Sequence, residues 1–369
     1  MNATTERWRR IFLAGLLLAA GIKYAERTER GAVEDNNNND SAYISEKVID
    51  ANNMRMYVLN NGCFARQADR DYGLYYPRIS NNRINRSKAL VYSSGLWLGA
   101  LVDDSLRVML NQFGPEASPG AIDDQGNPYG KDNPAFRVYK IGSADSLQYT
   151  ADWNQWPVDQ GAPLDQEGNP LVRGDQTLWC SFTDGYPLDE RSTASLGAEI
   201  HMTTWAYNNL DDVIFMEWEI INKSGREWVD TYVGLWADCE LGDANDDLTG
   251  SDSSLALVYD YNGRNYDSVY GERCPAFGYA FLRAPVILSP GDTAFSGNYM
   301  VPGYREVKLF SPIYYKHPQN VYPGWGGDMI SAPGFAYRML QGRNEFDEEM
   351  INPVSGMNSA WHFTGDPVS

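Results

Sequence analysis

An all-β fold, a large antiparallel β-sandwich with long loops and little helix, is what this 369-residue chain predicts. One ground is composition: 11 Trp, 24 Tyr and 34 Gly, with few long Ala/Leu/Glu/Lys runs, favour strands and turns over helices. A second is the texture, in which short apolar or alternating runs are separated by Gly, Pro, Asn and Asp. The third is length, because about 350 residues can bury a substantial core as one large domain or two closely packed ones.

The N-terminus reads as an export signal. Arg7, Arg9 and Arg10 form a basic region, Ile11 to Ala20 an uncharged apolar run, and Gly21 closes a small-residue cleavage site. A fixed membrane anchor is the alternative, but a span needs roughly 20 apolar residues and this run stops at Ile22-Lys23. Residues 1–21 are therefore expected to be a signal peptide and the mature protein to be secreted, extracellular or at the cell surface, with no membrane span. Cleavage removes three Arg and one Glu, so the formal charge of −19 becomes −21. So acidic a chain does not suit nucleic acid, whose phosphates demand Lys and Arg. Cations, polysaccharide or other surface proteins are the partners it fits, although the charge could serve solubility alone.

Residues 22–47, centred on Glu34-Asp-Asn-Asn-Asn-Asn-Asp40, offer nothing to bury and read as a disordered polar linker. The sandwich region is expected over 48–369. Met54, Met56, Val58 and Leu59 open a strand, and Asn60-Asn61-Gly62 is a turn. Ala89 to Val102 is a continuous apolar run broken by Gly95 and Gly99, as in a central strand with close backbone approach. Residues 111–178 are loop-rich. Asp124-Gln-Gly-Asn-Pro128 and Gln166-Glu-Gly-Asn-Pro170 repeat one turn chemistry, in which Gly-Asn supplies positive φ and Pro closes the turn.

The clearest hairpin runs from Val213–Asn222 through Lys223-Ser-Gly-Arg226 to Trp228–Ala237. Both strands alternate with a strongly apolar face. Further strands are expected at Ser254–Tyr261, Ala276–Leu282 and Val307–Leu309. Residues 285–305 and 317–335, rich in Pro and Gly, read as loops. Gly334–Gln341 is the one helix-like segment, with a weaker continuation to Met350. The ending Gly365-Asp-Pro-Val-Ser369 has no terminal pattern, so the native chain is expected to continue past Ser369.

The sharpest chemical signal follows the hairpin. Asp238, Glu240, Asp243, Asn245, Asp246, Asp247 and Asp252 crowd one short, Gly-punctuated stretch. Carboxylates at near-alternate spacing repel one another unless a cation sits among them, and Ca²⁺ takes six to eight such oxygens. Asp243, Asn245 and Asp247 match the first three positions of an EF-hand loop, but Leu248 replaces its Gly and Ser254 its closing Glu. A structural Ca²⁺ in a non-EF-hand loop is the expectation, and a solvated acidic loop the alternative.

Other chemistry is thinner. Glu217 and Glu219 lie on one strand face, and glycosidases hold their carboxyls about 5–5.5 Å or 6.5–9.5 Å apart. Catalytic carboxyls must flank a bond, so ion pairs or a solvated face are the default. His201, His317 and His362 are isolated, and neither H-E-x-x-H nor G-x-S-x-G occurs. Gly324-Trp-Gly-Gly-Asp328 lacks the Lys of a phosphate loop and is a turn. No catalytic residue is proposed. Trp153, Trp156, Trp179, Tyr186, Trp205 and Tyr207 either fill a core or form sugar-stacking platforms. Cys63, Cys180, Cys239 and Cys274 contain no C-x-x-C pair and allow three disulfide pairings, of which Cys239 with Cys274 would brace the acidic loop.

Several short motifs occur in one order: Asn52-Asn-Met-Arg-Met56, Gly62-Cys-Phe64, Gly73-Leu-Tyr-Tyr-Pro77, Ser94-Gly-Leu-Trp-Leu-Gly99 and Trp156-Pro-Val-Asp-Gln-Gly-Ala-Pro163. Gly174-Asp-Gln-Thr-Leu-Trp179, Trp236-Ala-Asp238, Gly242-Asp-Ala-Asn-Asp-Asp247 and Gly365-Asp-Pro-Val368 follow. Over roughly residues 50–369 the chain resembles a family of uncharacterised secreted proteins of Bacteroidetes-type bacteria. The resemblance implies export, and often a continuation into immunoglobulin-like modules and a C-terminal secretion-sorting domain. It carries no activity and no catalytic residues, and Cys239-Glu240 stands where an Asp is common. Three functions stay open: a non-catalytic surface protein with structural calcium, a carbohydrate-active module or hydrolase, and an adhesion or structural subunit.

Overall fold

The computed structural model describes residues 42–307 and 333–357, apart from short breaks, and the backbone of 10–17. Among the described residues twenty strands follow in chain order. They begin with β1 (Arg10–Leu17), β2 (Glu46–Ile49), β3 (Arg55–Leu59), β4 (Cys63–Phe64), β5 (Leu74–Tyr75), β6 (Ala89–Val102) and β7 (Ser105–Leu110). Next come β8 (Ser118–Pro119), β9 (Ala121–Ile122), β10 (Pro128–Tyr129), β11 (Tyr139–Gly142), β12 (Gln176–Thr183), β13 (Ala198–Ala206) and β14 (Ile214–Asn222). The series closes with β15 (Val229–Cys239), β16 (Asp247–Asp252), β17 (Leu257–Asn262), β18 (Phe277–Arg283), β19 (Val286–Ser296) and β20 (Tyr299–Glu306). Among the described residues the α-helices are Ala151–Asn154 and Pro333–Leu340, and no helix is long and apolar enough to cross a membrane.

The fold is all-β and sandwich-like, as expected. A seven-stranded sheet runs β15-β6-β4-β3-β2, with β5 and β7 attached. A nine-stranded sheet runs β11-β12-β13-β14-β1-β18-β17-β16, with β8 on β12. Alternation along each strand turns one face inward, and those faces make a single core. Met56, Phe64, Leu96 and Leu98 of the first sheet meet Ile200, Met202, Trp218 and Ile220 of the second. Phe64 and Trp218, both fully buried, bring their ring centroids to 5.9 Å. The continuous apolar run Ala89–Val102 becomes β6, which pairs with β15, β4, β5 and β7.

Four expectations need correction. The 213–237 hairpin does not form: β14 pairs with β13 and β1, whereas β15 pairs with β6 in the other sheet. Lys223–Glu227 therefore carries the chain across the sandwich. Trp228 anchors the crossing, buried and donating its indole N–H to Leu196 O at 3.1 Å. Secondly, residues 286–306 are a two-stranded ribbon rather than loop, and its register shifts between Leu288 and Thr293, around Pro290-Gly291. Thirdly, the acidic stretch is not one loop, because its last six residues are β16. Lastly, ordered structure begins before residue 48, where Tyr43 N–H donates to Lys131 O and Glu46 opens β2.

The repeated turn takes the same form twice. Asp123 accepts from the N–H groups of Gln125 and Asn127 across Gly126 (φ +85°), and Asp165 from Glu167 and Asn169 across Gly168 (φ +86°). The predicted helix at 334–341 is Pro333–Leu340, which packs Phe335 and Tyr337 against Trp97 and Trp236 on the outer side of the seven-stranded sheet. Residues 18–41, His317, Gly324–Asp328, His362 and the 358–369 ending lie outside the described residues.

Candidate metal centre

The acidic residues gather where β15 leaves the seven-stranded sheet and the chain enters β16 of the other. Asp238 is 2% exposed and pairs with Ser93 of β6. Glu240 donates its N–H to Leu90 O at 2.9 Å. Burial raises the Glu240 carboxyl to about 7, against a hydrogen bond from the Tyr92 hydroxyl. Asp243 caps the 3₁₀ turn Ala244–Asp246, accepting from the N–H and Nδ2 of Asn245 at 3.3 and 2.8 Å. Asp247, 6% exposed, accepts from Leu241 N–H at 2.8 Å. Asp246 points inward with its side chain 8% exposed. Neither of its carboxylate oxygens accepts a hydrogen bond, and the exposed Arg264 reaches it only at 3.5 Å.

Asp252 does not join them. It lies at the opposite end of β16, five residues and roughly 16 Å of extended chain from Asp247. Its carboxylate accepts from Ser254 N–H, Ser254 Oγ and Leu255 N–H, and the Ser254 bonds hold its pKa below the ordinary carboxylate value. It is a turn cap.

Two acids absent from the sequence expectation complete the corner. Asp260 is 2% exposed on β17 and accepts from Thr249 Oγ1 at 2.6 Å. The β16–β17 register sets Asp247 opposite Asn262 and Thr249 opposite Asp260. The inward face of this strand pair therefore carries Asp247, Thr249, Asp260 and Asn262. Asp267, 1% exposed, accepts from the N–H groups of Asp243, Val269 and Tyr270. Asp260 shows in sequence only as a charge at an inward register position, and Asp267 only as a turn residue.

Two thiols report on this crowding. Burial lifts Cys239 well above the ordinary thiol value, and Asp260, Asp238, Asp247 and Glu240 add to the shift. Burial pushes Cys274 up to about 12, with Asp267, Asp247 and Asp246 contributing. Both are free thiols, as are Cys63 and Cys180, so the braced Cys239–Cys274 pairing is not formed. Among the described residues no three His, Cys, Asp or Glu side chains stand together in ligating geometry. What the corner does hold is a set of buried carboxylates, and burying an ionised carboxylate costs several kcal/mol unless it is compensated. The orphaned oxygens of Asp246 and the buried Oδ1 of Asn262, which also accepts no hydrogen bond, are hard donors of the kind Ca²⁺ takes.

The other sequence candidates resolve into packing and pairing. Glu217 is clamped by Arg173 at 2.9 Å and Arg283 at 2.7 Å. Glu219 lies 3.4 Å from His201 Nδ1, while His201 Nε2 meets Glu199 at 3.0 Å. His201 is thus not isolated but a buried imidazole between two carboxylates. Trp156 and Trp179 are buried with Tyr139 and Ile141 under the 131–175 loops, with Trp153 against them. Trp205 stacks on Phe215 at 5.4 Å, and the Arg173 guanidinium lies over the Trp205 ring, 4.8 Å from its centroid. A scan of protein-family models and searches of curated proteins and of solved structures find no match to this chain.

Proposed function

We propose that this protein is a secreted or cell-surface, non-catalytic β-sandwich whose acidic corner holds a structural Ca²⁺. The observation that carries the reading is the set of buried acids near the β15–β16 junction: Asp238, Asp247 and Asp260 are 2–6% exposed, and the nearly buried Asp246 side chain has oxygens that accept no hydrogen bond. Those four, with Glu240 in reserve, are the residues that would hold the ion. Asp243, Asn245 and Asp267 shape the backbone around it. A bound cation would neutralise the crowded carboxylates and tie β15 to β16, so its binding free energy would appear as folding stability. Of the two carboxylate candidates for acid–base work, Glu217 sits between two guanidiniums and Glu219 lies beside His201, which favours structural roles.

The test is thermal unfolding of the exported protein with excess Ca²⁺ and with a chelator, repeated on Asp247→Asn/Asp260→Asn. A ligand at 100 times its Kd adds about 2.7 kcal/mol, which moves the melting temperature by several degrees. The double variant is expected to lose that response. Superimposable curves for the unaltered protein in both conditions would falsify the calcium reading.

One observation favours the sugar-binding alternative. Tyr43, Arg137, Tyr139, Gln155 and Asp159 line an open groove of about 510 Å³. Tyr43 is 42% exposed but Tyr139 only 4%, so a single ring is free to stack. Retention on immobilised polysaccharide that Tyr43→Ala abolishes would favour this second reading.

A further inference from the structure

The nine-stranded sheet is continuous only because β1 lies between β14 and β18. All eight residues of β1 pair antiparallel with β14, from Arg10 opposite Ile221 to Leu17 opposite Ile214. On the other side Ala14, Gly15 and Leu16 pair with Arg283, Phe281 and Ala280. Yet Arg10–Leu17 falls inside the segment whose basic start, apolar run and small-residue end read as an export signal. Export that removes it exposes the N–H and C=O ladder of β14 along its length and part of that of β18. Two facing edges one strand apart are a template for strand addition.

We infer that the slot between β14 and β18 is a strand-acceptor site, which in the exported protein takes one extended apolar strand from a partner polypeptide. The inference rests on the export reading above and is independent of the metal. A second processed copy has lost this strand and cannot supply it, and the occupant proposed is a strand of a different polypeptide.

The register specifies that donor. Positions 11, 13, 15 and 17 of β1 stand opposite Ile220, Trp218, Met216 and Ile214, all fully buried on the core side. Directly opposed residues share a face, so the donor needs apolar residues at these positions. On the other face, position 14 stands opposite both Glu217 and Arg283, whose side chains meet at 2.7 Å across the width of the intervening strand. A small residue between them lets those two side chains meet over the strand, and the sequence has Ala at position 14. The donor is therefore about eight residues long, proline-free because every backbone N–H is wanted, apolar on its core side and small at its centre.

The experiment starts from the full chain expressed for export. Intact mass of the purified protein reports whether residues 1–21 are gone. A fluorescent, lysine-tagged peptide of Arg10–Leu17 is then titrated by anisotropy, beside the same peptide carrying Leu13→Asp. The expected result is a processed protein that binds the parent peptide and binds the Asp peptide at least about 100-fold more weakly, since that change sets an unpaired charge opposite Trp218. A processed protein that ignores the parent peptide, or binds both alike, overturns the acceptor site and leaves the export reading standing. A mass that retains residues 10–17 overturns both, because the strand then stays in its own chain.

Discussion

Gly242 and Asp267 compete for one space: a methyl group on Gly242 would lie 2.3 Å from Oδ1 of Asp267. The glycine turns the chain out of β15 at φ +65° and brings Asp243 N–H onto the Asp267 carboxylate, which also accepts from the N–H groups of Val269 and Tyr270 in its own loop. A backbone requirement in one loop thus fixes an acid that arrives from another.

Gly242→Ala should therefore be costly for two reasons. Strain at positive φ accounts for about 1 kcal/mol, and displacing a buried, triply hydrogen-bonded carboxylate adds roughly 1–3 kcal/mol. Gly126→Ala separates the two, because Gly126 has φ +85° and nothing within 4 Å of an added methyl. Urea denaturation should show the first variant losing at least twice the stability lost by the second. Equal losses would mean that Asp267 moves aside freely.

Asp246→Asn should change sign with calcium. In chelator the substitution removes a buried charge whose oxygens accept no hydrogen bond, so stability should rise by about 1 kcal/mol. In excess Ca²⁺ it removes a ligand, so the variant should melt below the unaltered protein. Asp252→Ala, at the far end of β16, should cost only its turn-capping bonds and leave the calcium response intact. A calcium response lost with Asp252 would place the ion elsewhere.

The contrast between Asp252 and Asp260 shows what the sequence can carry. Crowding within 238–247 is visible because the residues are neighbours in the chain, and the same count draws in Asp252, which β16 carries away. Asp260 and Asp267 come from separate turns and strands, and only the β16–β17 register and the Gly242 approach bring them in. Strand faces behaved the same way. Alternation gives 213–222 a strongly apolar face, on which Met216, Trp218 and Ile220 are buried, but it says nothing about partners, so β14 and β15 read as a hairpin although they belong to different sheets. In 286–306 the Pro290-Gly291 bulge hid two pairing segments. The continuous run Ala89–Val102 needed no such context and is β6.

Trp218→Ala should be among the most damaging core changes. Trp218 is fully buried on β14, packs on Phe64 of the opposite sheet and stands opposite Met202 and Leu13 in register. Removing it loses the transfer free energy of the ring and leaves a cavity between the sheets, about 3–5 kcal/mol together. Trp218→Phe should recover more than half of that loss in the same denaturation series. If Trp218→Ala proved mild, the sheets would have to close on the space it leaves.

His201 should set an alkaline limit to stability. Its side chain is 8% exposed, with Glu199 at 3.0 Å on Nε2 and Glu219 at 3.4 Å on Nδ1. Burial alone would lower its pKa, but the two carboxylates outweigh burial and raise it above the ordinary histidine value. A raised folded pKa means that the charged imidazole stabilises the fold fully below about pH 6.5, and that this stability is lost as pH rises through the folded value. Glu199 runs the other way. Burial raises its pKa, but the bonds from His201 and from Ile122 N–H win and lower it, so its contribution is lost as pH falls through its folded value. The pair should give a stability maximum between roughly pH 5 and 6.5. His201→Gln, which keeps a hydrogen-bonding side chain but cannot take the charge, should flatten the alkaline limb and leave the acid limb in place. Denaturant midpoints from pH 4 to 9 read both limbs. An alkaline limb that survives unchanged in the variant would assign it to another group and leave His201 a neutral hydrogen-bonding residue.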